Sequence, residues 1–277
     1  MPVNEIKDLS KLCVHTITTK PWSLKTAIDK YSRKGINGIT IWRDALEGLR
    51  LHEVKSMLDD NGMDVVSLCR GGFFPSVEKQ KREEAIDDNK KAIEEAAEIG
   101  APLVILVCGA DTGQLLEESR KQIQEGIEAV LPFAKERNIK LAIEPLHPMY
   151  ADTRSAINTL KQANDMCVNI DDPTVGVAVD VYHLWWDETL KKEIARCGLL
   201  NKLFAFHICD WKTPTTDMLL DRGLMGEGCI PVKKIRSWVE SAGFAGYNEV
   251  EIFSNRYWEM DQDDFLEKIV QAYLHKS

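Results

Sequence analysis

A regular alternation of short apolar segments with longer amphipathic segments is the feature that most constrains the fold. The short segments are rich in Val, Ile and Leu, as buried parallel strands are. The longer segments place apolar residues at helical spacing. Strand-like segments occur at about residues 12–17, 38–42, 64–69, 103–107, 141–143, 175–180, 203–207 and 248–253.

A helix-like segment follows each of these strands, and no linker, charge block or change of composition divides the chain. We therefore predict an α/β fold in which residues 1–277 form a single (β/α)8 barrel domain, a TIM barrel. The competing arrangement is a doubly wound open sheet, which normally carries a glycine-rich phosphate turn after its first strand. Residues 16–21 contain no glycine, which favours the barrel.

The helix-like segments carry their own end signals. Ser23 is typical of a helix N-cap, and Gly35 is typical of a helix end. The helix that begins near Gln114 contains Pro132, which has no amide proton, and this predicts a kink or break near Leu131.

The bulk composition narrows the classes of partner. The chain has 277 residues, of which 44% are hydrophobic, with a formal net charge of −9. This acidic balance argues against nucleic acid or an anionic membrane as the main partner, because both favour a basic face. There is no signal-peptide pattern and no apolar run of about 18 residues. We expect a cytoplasmic protein, and homo-oligomer formation is left open.

Cysteine use agrees with a reducing compartment. The count is odd and no CxxC pair occurs, which indicates free thiols rather than a disulfide framework or a zinc finger. The cysteines are Cys13, Cys69, Cys108, Cys167, Cys197, Cys209 and Cys229.

Four of the predicted strands end in an acid or an imidazole. Glu144, Asp180, His207 and Glu251 lie at the carboxyl ends of strands five to eight. In a barrel these ends are neighbours on one rim, where active sites are built. Each residue alone is typical of a helix cap, a loop acid or a core histidine. Their agreement in position and chemistry favours a shared site.

A metal ion would explain this set of side chains. Three converging carboxylates repel one another unless a cation lies among them. Three oxygen ligands and one imidazole suit Mn²⁺ or Mg²⁺, and Co²⁺ or Zn²⁺ also fits. We therefore predict one divalent metal bound by Glu144, Asp180, His207 and Glu251, and no nucleotide cofactor.

The same segments resemble the xylose isomerase-like TIM-barrel superfamily, which includes tagatose and psicose 3-epimerases, inosose dehydratase and endonuclease IV. The motifs are Ile-Glu-Pro-Leu at 143–146, Val-Asp-Val-Tyr-His at 179–183, Phe-His-Ile-Cys-Asp at 206–210, Gly-Glu-Gly at 226–228 and Val-Glu-Ile-Phe at 250–253. The resemblance implies the same four metal ligands, with Glu144 and Glu251 as the catalytic pair that moves protons. It implies isomerisation or epimerisation of a ketose or related polyol ketone, by removal of the proton next to the carbonyl through a metal-stabilised enediolate.

The resemblance also points to residues around the metal. His183 matches the family's substrate-contacting histidine, and Arg222 resembles the arginine that binds a substrate hydroxyl. Asp210 is expected either to orient His207, since a ligating imidazole usually donates its second N–H to such a group, or to cap a helix or turn.

The chain departs from the simple epimerases after strand five. Those enzymes carry another acid six residues after the strand-five glutamate, where this chain has Tyr150. Nearby aromatic faces suit the apolar side of a sugar ring, and the loop at 211–221 is longer than a minimal epimerase needs. The further candidate substrate contacts are His147, Tyr150, Trp185 and Lys212.

Arg43 and Arg70, at the exits of strands two and three, could meet a phosphate or a carboxylate. Glycines suited to a phosphate cradle are confined to Gly71-Gly72, which favours an unphosphorylated substrate.

Several other functions share parts of this pattern. An inosose dehydratase-like lyase would use the same metal and glutamate pair but expel a β-hydroxyl. A phosphodiesterase like endonuclease IV requires more histidine ligands than the six histidines here supply. A glycosidase would use Glu144 and Glu251 about 5 Å apart without a metal. A non-catalytic sugar-binding protein is the remaining alternative.

Overall fold

In a computed structural model that describes residues 5–277, eight parallel strands form a closed barrel. Each strand pairs with its neighbours in chain order, and the last strand closes the ring against β1. The predicted (β/α)8 barrel is therefore confirmed. The barrel strands are β1 (Leu12–His15), β2 (Gly38–Trp42), β3 (Asp64–Gly72), β4 (Leu103–Val107), β5 (Lys140–Ile143), β6 (Val175–Asp180), β7 (Leu203–Ile208) and β10 (Asn248–Val250).

Helices surround the ring, and one short antiparallel pair, β8 (Asp210–Trp211) with β9 (Arg222–Gly223), lies in the loop after β7. Within residues 5–277, every helix is too short or too polar to span a bilayer. The helices are α1 (Leu24–Lys34), α2 (Leu51–Asp60), α3 (Lys79–Ile99), α4 (Leu116–Glu136), α5 (Leu160–Ile170), α6 (Val181–Leu184), α7 (Leu190–Leu199), α8 (Val232–Ser241), α9 (Asn255–Trp258) and α10 (Gln262–Lys276).

Local end signals set most helix boundaries. Ser23 accepts a hydrogen bond from the Thr26 amide, and Gly35 ends α1 with φ of 79°. The predicted break near Leu131 is wrong, because α4 continues through Pro132 to Glu136. A buried face that includes Ile127 and Val130 holds the helix against the core despite the missing amide hydrogen bond.

The core has two layers. The larger one lies between the outer faces of the strands and the helices, and a separate cluster fills the barrel. Three alanines of the inner cluster come two residues before Glu144, Asp180 and His207, so they point to the same side of their strands. These are Ala142, Ala178 and Ala205. Before Glu251, the corresponding residue is Glu249, and the small alanines leave volume for its longer side chain.

All seven cysteines are free, as predicted, and six of them are buried. Cys229 is the exposed one.

Enlarging one of the interior alanines tests this packing. Ala178→Leu should lower the free energy of unfolding by about 1–3 kcal/mol, because the barrel interior has no room for three more carbons. Urea denaturation of the purified protein measures this change. Ala129→Leu, on the exposed face of α4, is the matched control and should change stability by less than about 0.5 kcal/mol. Equal stability of the two variants would contradict a filled barrel interior.

Candidate metal centre

The four strand-end residues meet at one mouth of the barrel. One ligand atom from each of Glu144, Asp180, His207 and Glu251 lies within 4.8 Å of the others. All four side chains are buried, with at most 4% of any residue exposed. Their strands β5, β6, β7 and β10 are consecutive around the ring. The two glutamates therefore occupy the ends of an arc, with Asp180 and His207 between them.

Local chemistry positions these side chains. Pro145 follows Glu144 and cannot donate to a strand ladder, so β5 ends at Ile143 and the glutamate stands at the rim. Asp180 is the last residue of β6, and its Oδ1 accepts the Tyr182 amide at 2.7 Å, which begins α6. This bond fixes the carboxylate and leaves Oδ2 directed to the mouth.

Several buried atoms of the set fit a metal. Nδ1 of His207 lies 2.8 Å from Oε1 of Glu144, yet the two atoms are not aligned as a hydrogen bond. Neither these atoms nor Nε2 of His207 has a hydrogen-bond partner among residues 5–277. Buried polar atoms without partners are costly, and a shared cation would satisfy all of them. The buried His, Glu and Asp set thus indicates a divalent metal, without determining which one.

Protons and one arginine offset the negative charge of these carboxylates. Arg222, also buried, donates to Oε2 of Glu251 at 2.6 Å and to Oδ2 of Asp180 at 3.3 Å. Burial and the charges of Glu251 and Glu144 nevertheless raise the pKa of Asp180 to about 7. Burial alone would lower the pKa of His207, but Glu249, Glu144 and Glu251 raise it to about 10.

Glu251 is held in its ionised form. Although burial opposes this, the charges of Arg222 and His15 keep the pKa of Glu251 well below its usual value. Nδ1 of His15 lies 3.2 Å from Oε1 of Glu251, on the side opposite to the oxygen that Arg222 contacts. Both carboxylate oxygens of Glu251 therefore have a fixed neighbour.

The sequence analysis missed a buried layer beneath the four residues, formed by His15 and Glu249. Nε2 of His15 lies 3.2 Å from Oε2 of Glu249, and the Thr40 hydroxyl donates to the same oxygen at 2.6 Å. Glu249 also approaches Nε2 of His207, at 3.7 Å. The spacing of Glu249 and Glu251 was a usable signal, because residues two apart share one face of a strand. His15 was missed because strand one was predicted to continue to Ile17.

Of the two roles expected for Asp210, the structure shows the turn cap. Its carboxylate accepts the backbone amides of Trp211, Gly226, Gly228 and Ile230 at 2.8–2.9 Å. It therefore organises the loop after β7 instead of orienting His207. The carboxylate beside the second ring nitrogen of His207 is that of Glu249.

His183 and Arg222, both expected to contact substrate, lie together at the edge of the centre. Nε2 of His183 is 3.3 Å from Nη2 of Arg222 and 3.6 Å from Oδ2 of Asp180. Burial and the charge of Arg222 lower the pKa of His183 well below its usual value, so the imidazole is neutral. Its Nδ1 has no hydrogen-bond partner among the described residues and suits a ligand hydroxyl.

Aromatic rings cover the same side of the mouth. The ring of Tyr150 is 5.8 Å from that of His183, and its hydroxyl donates to the Met218 carbonyl at 2.7 Å. Tyr182 donates to the same carbonyl at 2.9 Å. The rings of His147 and Trp185 lie 5.2 and 5.8 Å from that of Trp211. Three of the candidate substrate contacts thus belong to one aromatic wall.

Two basic side chains predicted to be free for substrate are already paired. The ammonium of Lys212 contacts Asp221 within the same loop. Arg43 binds Asp88 at 2.8 Å and Glu95 at 2.6 Å, which removes it as a free anion ligand.

Comparison with known proteins establishes the family. A profile described as "Xylose isomerase-like TIM barrel" matches residues 28–270. The chain belongs to this family. The resemblance read from the strand-end motifs is therefore confirmed.

Several solved structures superpose on most of the chain. Protein SMc04130 of Sinorhizobium meliloti 1021 is 44% identical with a TM-score of 0.94, covering 97% of this chain and 99% of that one. An IolI protein with a bound zinc atom is 21% identical with a TM-score of 0.83, covering 95% and 96%. D-psicose 3-epimerase of Clostridium cellulolyticum H10, solved with D-tagatose, is 16% identical with a TM-score of 0.77, covering 95% and 96%. The last two likenesses concern the fold alone.

Other relatives have named activities. An inosose isomerase of Bacillus licheniformis is 24% identical over 196 residues, 69% of this chain and 68% of that protein. A putative L-ribulose-5-phosphate 3-epimerase, SgbU, of Haemophilus influenzae is 24% identical over 235 residues, covering 82% and 76%. A probable endonuclease 4 of Mesomycoplasma hyopneumoniae is 24% identical over 177 residues, covering 58% and 59%.

Metal affinity of this family member should depend steeply on pH. Binding must displace the protons of Asp180, with a pKa of about 7, and of His207, with a pKa of about 10. The dissociation constant for Mn²⁺ should therefore rise about tenfold per pH unit between pH 8 and 7, and more steeply below pH 7. Titration calorimetry at several pH values measures this dependence. Asp180→Asn should remove the additional slope below pH 7, and affinity that is flat from pH 6 to 8 would contradict the assignment.

Glu249 should matter for metal affinity although it is not one of the four residues. Glu249→Gln removes the charge beside His15 and His207, and loss of such a supporting group typically weakens metal binding about 10–100-fold. A chelator competition assay gives the dissociation constant directly. Glu98→Gln removes the same charge from the exposed surface of α3 and should leave the constant within about twofold.

Proposed function

We propose that the protein is a divalent-metal-dependent isomerase or epimerase that acts on a ketose or a related polyol ketone. The observation that carries this proposal is the buried arc of four side chains with a glutamate at each end. Proton removal and return at carbon need two such groups around one bound substrate. Of the alternatives, the phosphodiesterase needs more histidines and the glycosidase needs no cation, whereas the lyase would use the same metal and glutamate pair.

The relatives support the reaction class. The inosose isomerase and the putative ribulose-phosphate epimerase both carry names of sugar or polyol isomerisation. Each is a remote relative at 24% identity, so the class of reaction transfers better than the substrate. The zinc atom in the IolI neighbour agrees with a divalent ion in this fold.

The two glutamates are suited to different parts of the reaction. Arg222 and His15 hold both oxygens of Glu251, so its position and charge are fixed. Oε1 of Glu144 lies beside His207 and has no hydrogen-bond partner among residues 5–277. We assign Glu144 to removal of the proton next to the carbonyl and Glu251 to the opposite face of the same carbon. Because Glu251 is ionised, the proton that it returns to carbon must first reach it, and His15, whose Nδ1 lies 3.2 Å from Oε1 of Glu251, can donate that proton. Reversal of these roles in the reverse direction follows from microscopic reversibility.

The remaining residues bind and orient the substrate. Nδ1 of His183 is available for a hydroxyl, and the aromatic wall of His147, Tyr150 and Trp185 covers the ring and excludes water. When bound, a divalent cation would polarise the carbonyl and stabilise the charge that develops on its oxygen.

Exchange of substrate protons with solvent tests the proposal. The Mn²⁺-loaded protein, incubated with a panel of ketoses and inososes in D₂O, should incorporate deuterium at the carbon next to the carbonyl. Glu144→Gln should reduce this exchange at least about a thousandfold, because the amide cannot accept the proton. NMR of the substrate follows the exchange, and Glu136→Gln on α4 serves as the surface control.

The same experiment separates the alternatives. Loss of water with formation of an enone would identify the lyase reaction. Full exchange by Glu144→Gln, or no exchange by the wild-type protein with any member of the panel, would contradict the proposed function.

A further inference from the structure

Two arginines at the rim have no counter-ion among residues 5–277. Most arginine side chains in residues 5–277 bind a carboxylate or a backbone carbonyl, as Arg43 does. Arg70 and Arg154 make neither an ion pair nor a side-chain hydrogen bond with any described residue. Both are partly buried, which distinguishes them from the exposed, equally unpaired Arg256. In a chain with a net charge of −9, two half-buried arginines without an acid are unusual.

Aromatic rings hold both guanidinium groups. The guanidinium of Arg70 lies 4.2 Å from the ring centre of Phe73, and that of Arg154 lies 5.6 Å from the ring centre of Tyr150. Such contacts use the face of the guanidinium and leave its N–H edge for an anion. The two groups are therefore fixed without being neutralised.

The backbone brings the two arginines to the same part of the rim. The Phe73 amide donates to the Val107 carbonyl at 2.9 Å, and the Gly109 amide donates to the Arg154 carbonyl at 2.8 Å. Gly109, with φ of 92°, passes so close to Phe73 that an added Cβ would lie 2.7 Å from its Cα. Phe73, which contacts the Arg70 guanidinium, thus packs on Gly109, whose amide is bonded to Arg154.

Their charges oppose each other. Burial, followed by the positive charge of Arg154, lowers the pKa of Arg70. The charge of Asp88 acts in the opposite direction, but both of its oxygens are occupied by Arg43, at 2.8 and 3.0 Å. A bound anion would offset this repulsion.

The pair also borders the candidate metal centre. Tyr150, which lies beneath Arg154, contacts the ring of His183. Cys69, which precedes Arg70, lies within the electrostatic range of Glu251 and Glu144. We propose that Arg70 and Arg154 form an anion subsite, so that the substrate of the proposed isomerase carries a phosphate or carboxylate group. This inference rests on the proposed function for the identity of the molecule, but not for the binding of the anion.

From the sequence we expected an unphosphorylated substrate. That expectation rested on the absence of a glycine-rich phosphate loop. Two guanidiniums bind the same oxygens through paired N–H donors and need no such loop. Phosphate and carboxylate share this chemistry, and experiment must separate them.

Direct binding of small anions provides the first test. Inorganic phosphate and malonate are titrated separately into the Mn²⁺-loaded full-length protein and into Arg70→Met, Arg154→Met and the double variant. The double variant should bind the preferred anion at least about tenfold more weakly, because two charge-assisted hydrogen-bonding groups are lost. Arg33→Met, which removes an exposed charge from the end of α1, should bind it within about twofold of wild type. An anion held only by the metal would bind all of these proteins equally.

A larger effect on phosphate identifies a phosphorylated substrate, and a larger effect on malonate identifies a sugar acid. Equal binding of each anion by wild type and the double variant, or no binding by wild type, overturns the subsite. If the double variant does not fold, as judged by circular dichroism, Arg70→Lys replaces it. Lysine keeps the charge but loses the paired donors, so binding should still weaken severalfold.

Turnover separates this inference from the proposed function. Solvent exchange is measured for a neutral ketose, its terminal phosphate and the corresponding keto acid. The ratio of kcat/KM for the preferred anionic substrate over the neutral one should fall at least about tenfold in the double variant. If no ketose reacts but the arginines bind the anion, the proposed function fails and the subsite stands. If ketoses react and the ratio is unchanged, the subsite fails and the proposed function stands.

Discussion

Mutual repulsion among three buried carboxylates is the constraint on which the rest of the mouth depends. Glu144, Asp180 and Glu251 lie where water cannot screen them. Arg222 offsets part of this charge from one side, and His15 approaches Glu251 from the other. The remaining compensation comes from protons on Asp180 and His207, which a cation would displace. Binding of a cation at this centre would therefore release protons from Asp180 and His207.

The barrel interior is arranged to support that exchange. Beneath the four residues of the candidate metal centre, three strands carry an alanine and the fourth carries Glu249. This difference in size allows a buried carboxylate to reach His15, Thr40 and Ser67 in the middle of the barrel. The packing of the interior and the position of Glu249 both depend on the three alanines, because a larger side chain in the place of any of them would displace Glu249.

The sequence predicts those features that follow from periodicity and topology. Eight alternating units imply a ring, and a ring brings Glu144, Asp180, His207 and Glu251 together without knowledge of any contact. The inner layer escaped prediction because His15 was placed in mid-strand, where a histidine is typical of an ordinary core residue. Asp210 and Arg43 show the other difficulty. The partners of Asp210 lie in the loop after β7, and those of Arg43 lie on α3. The local sequence pattern therefore gave the position of each residue but not the direction of its side chain.

The loop after β7 is attached to the barrel mouth through a main-chain atom, so the sequence of this loop can vary. Tyr150 and Tyr182 both donate to the main-chain carbonyl of Met218, whose side chain is 53% exposed. A carbonyl has two lone pairs, and here both are used. Every amino acid, including proline, supplies the same oxygen at that position. The sequence of the loop, and with it the surface that the loop presents, can therefore change while the hydrogen bonds from the two tyrosine hydroxyls are kept. A comparison of sequences would therefore identify Tyr150 and Tyr182 as constrained positions but would not identify position 218, to which they are bonded.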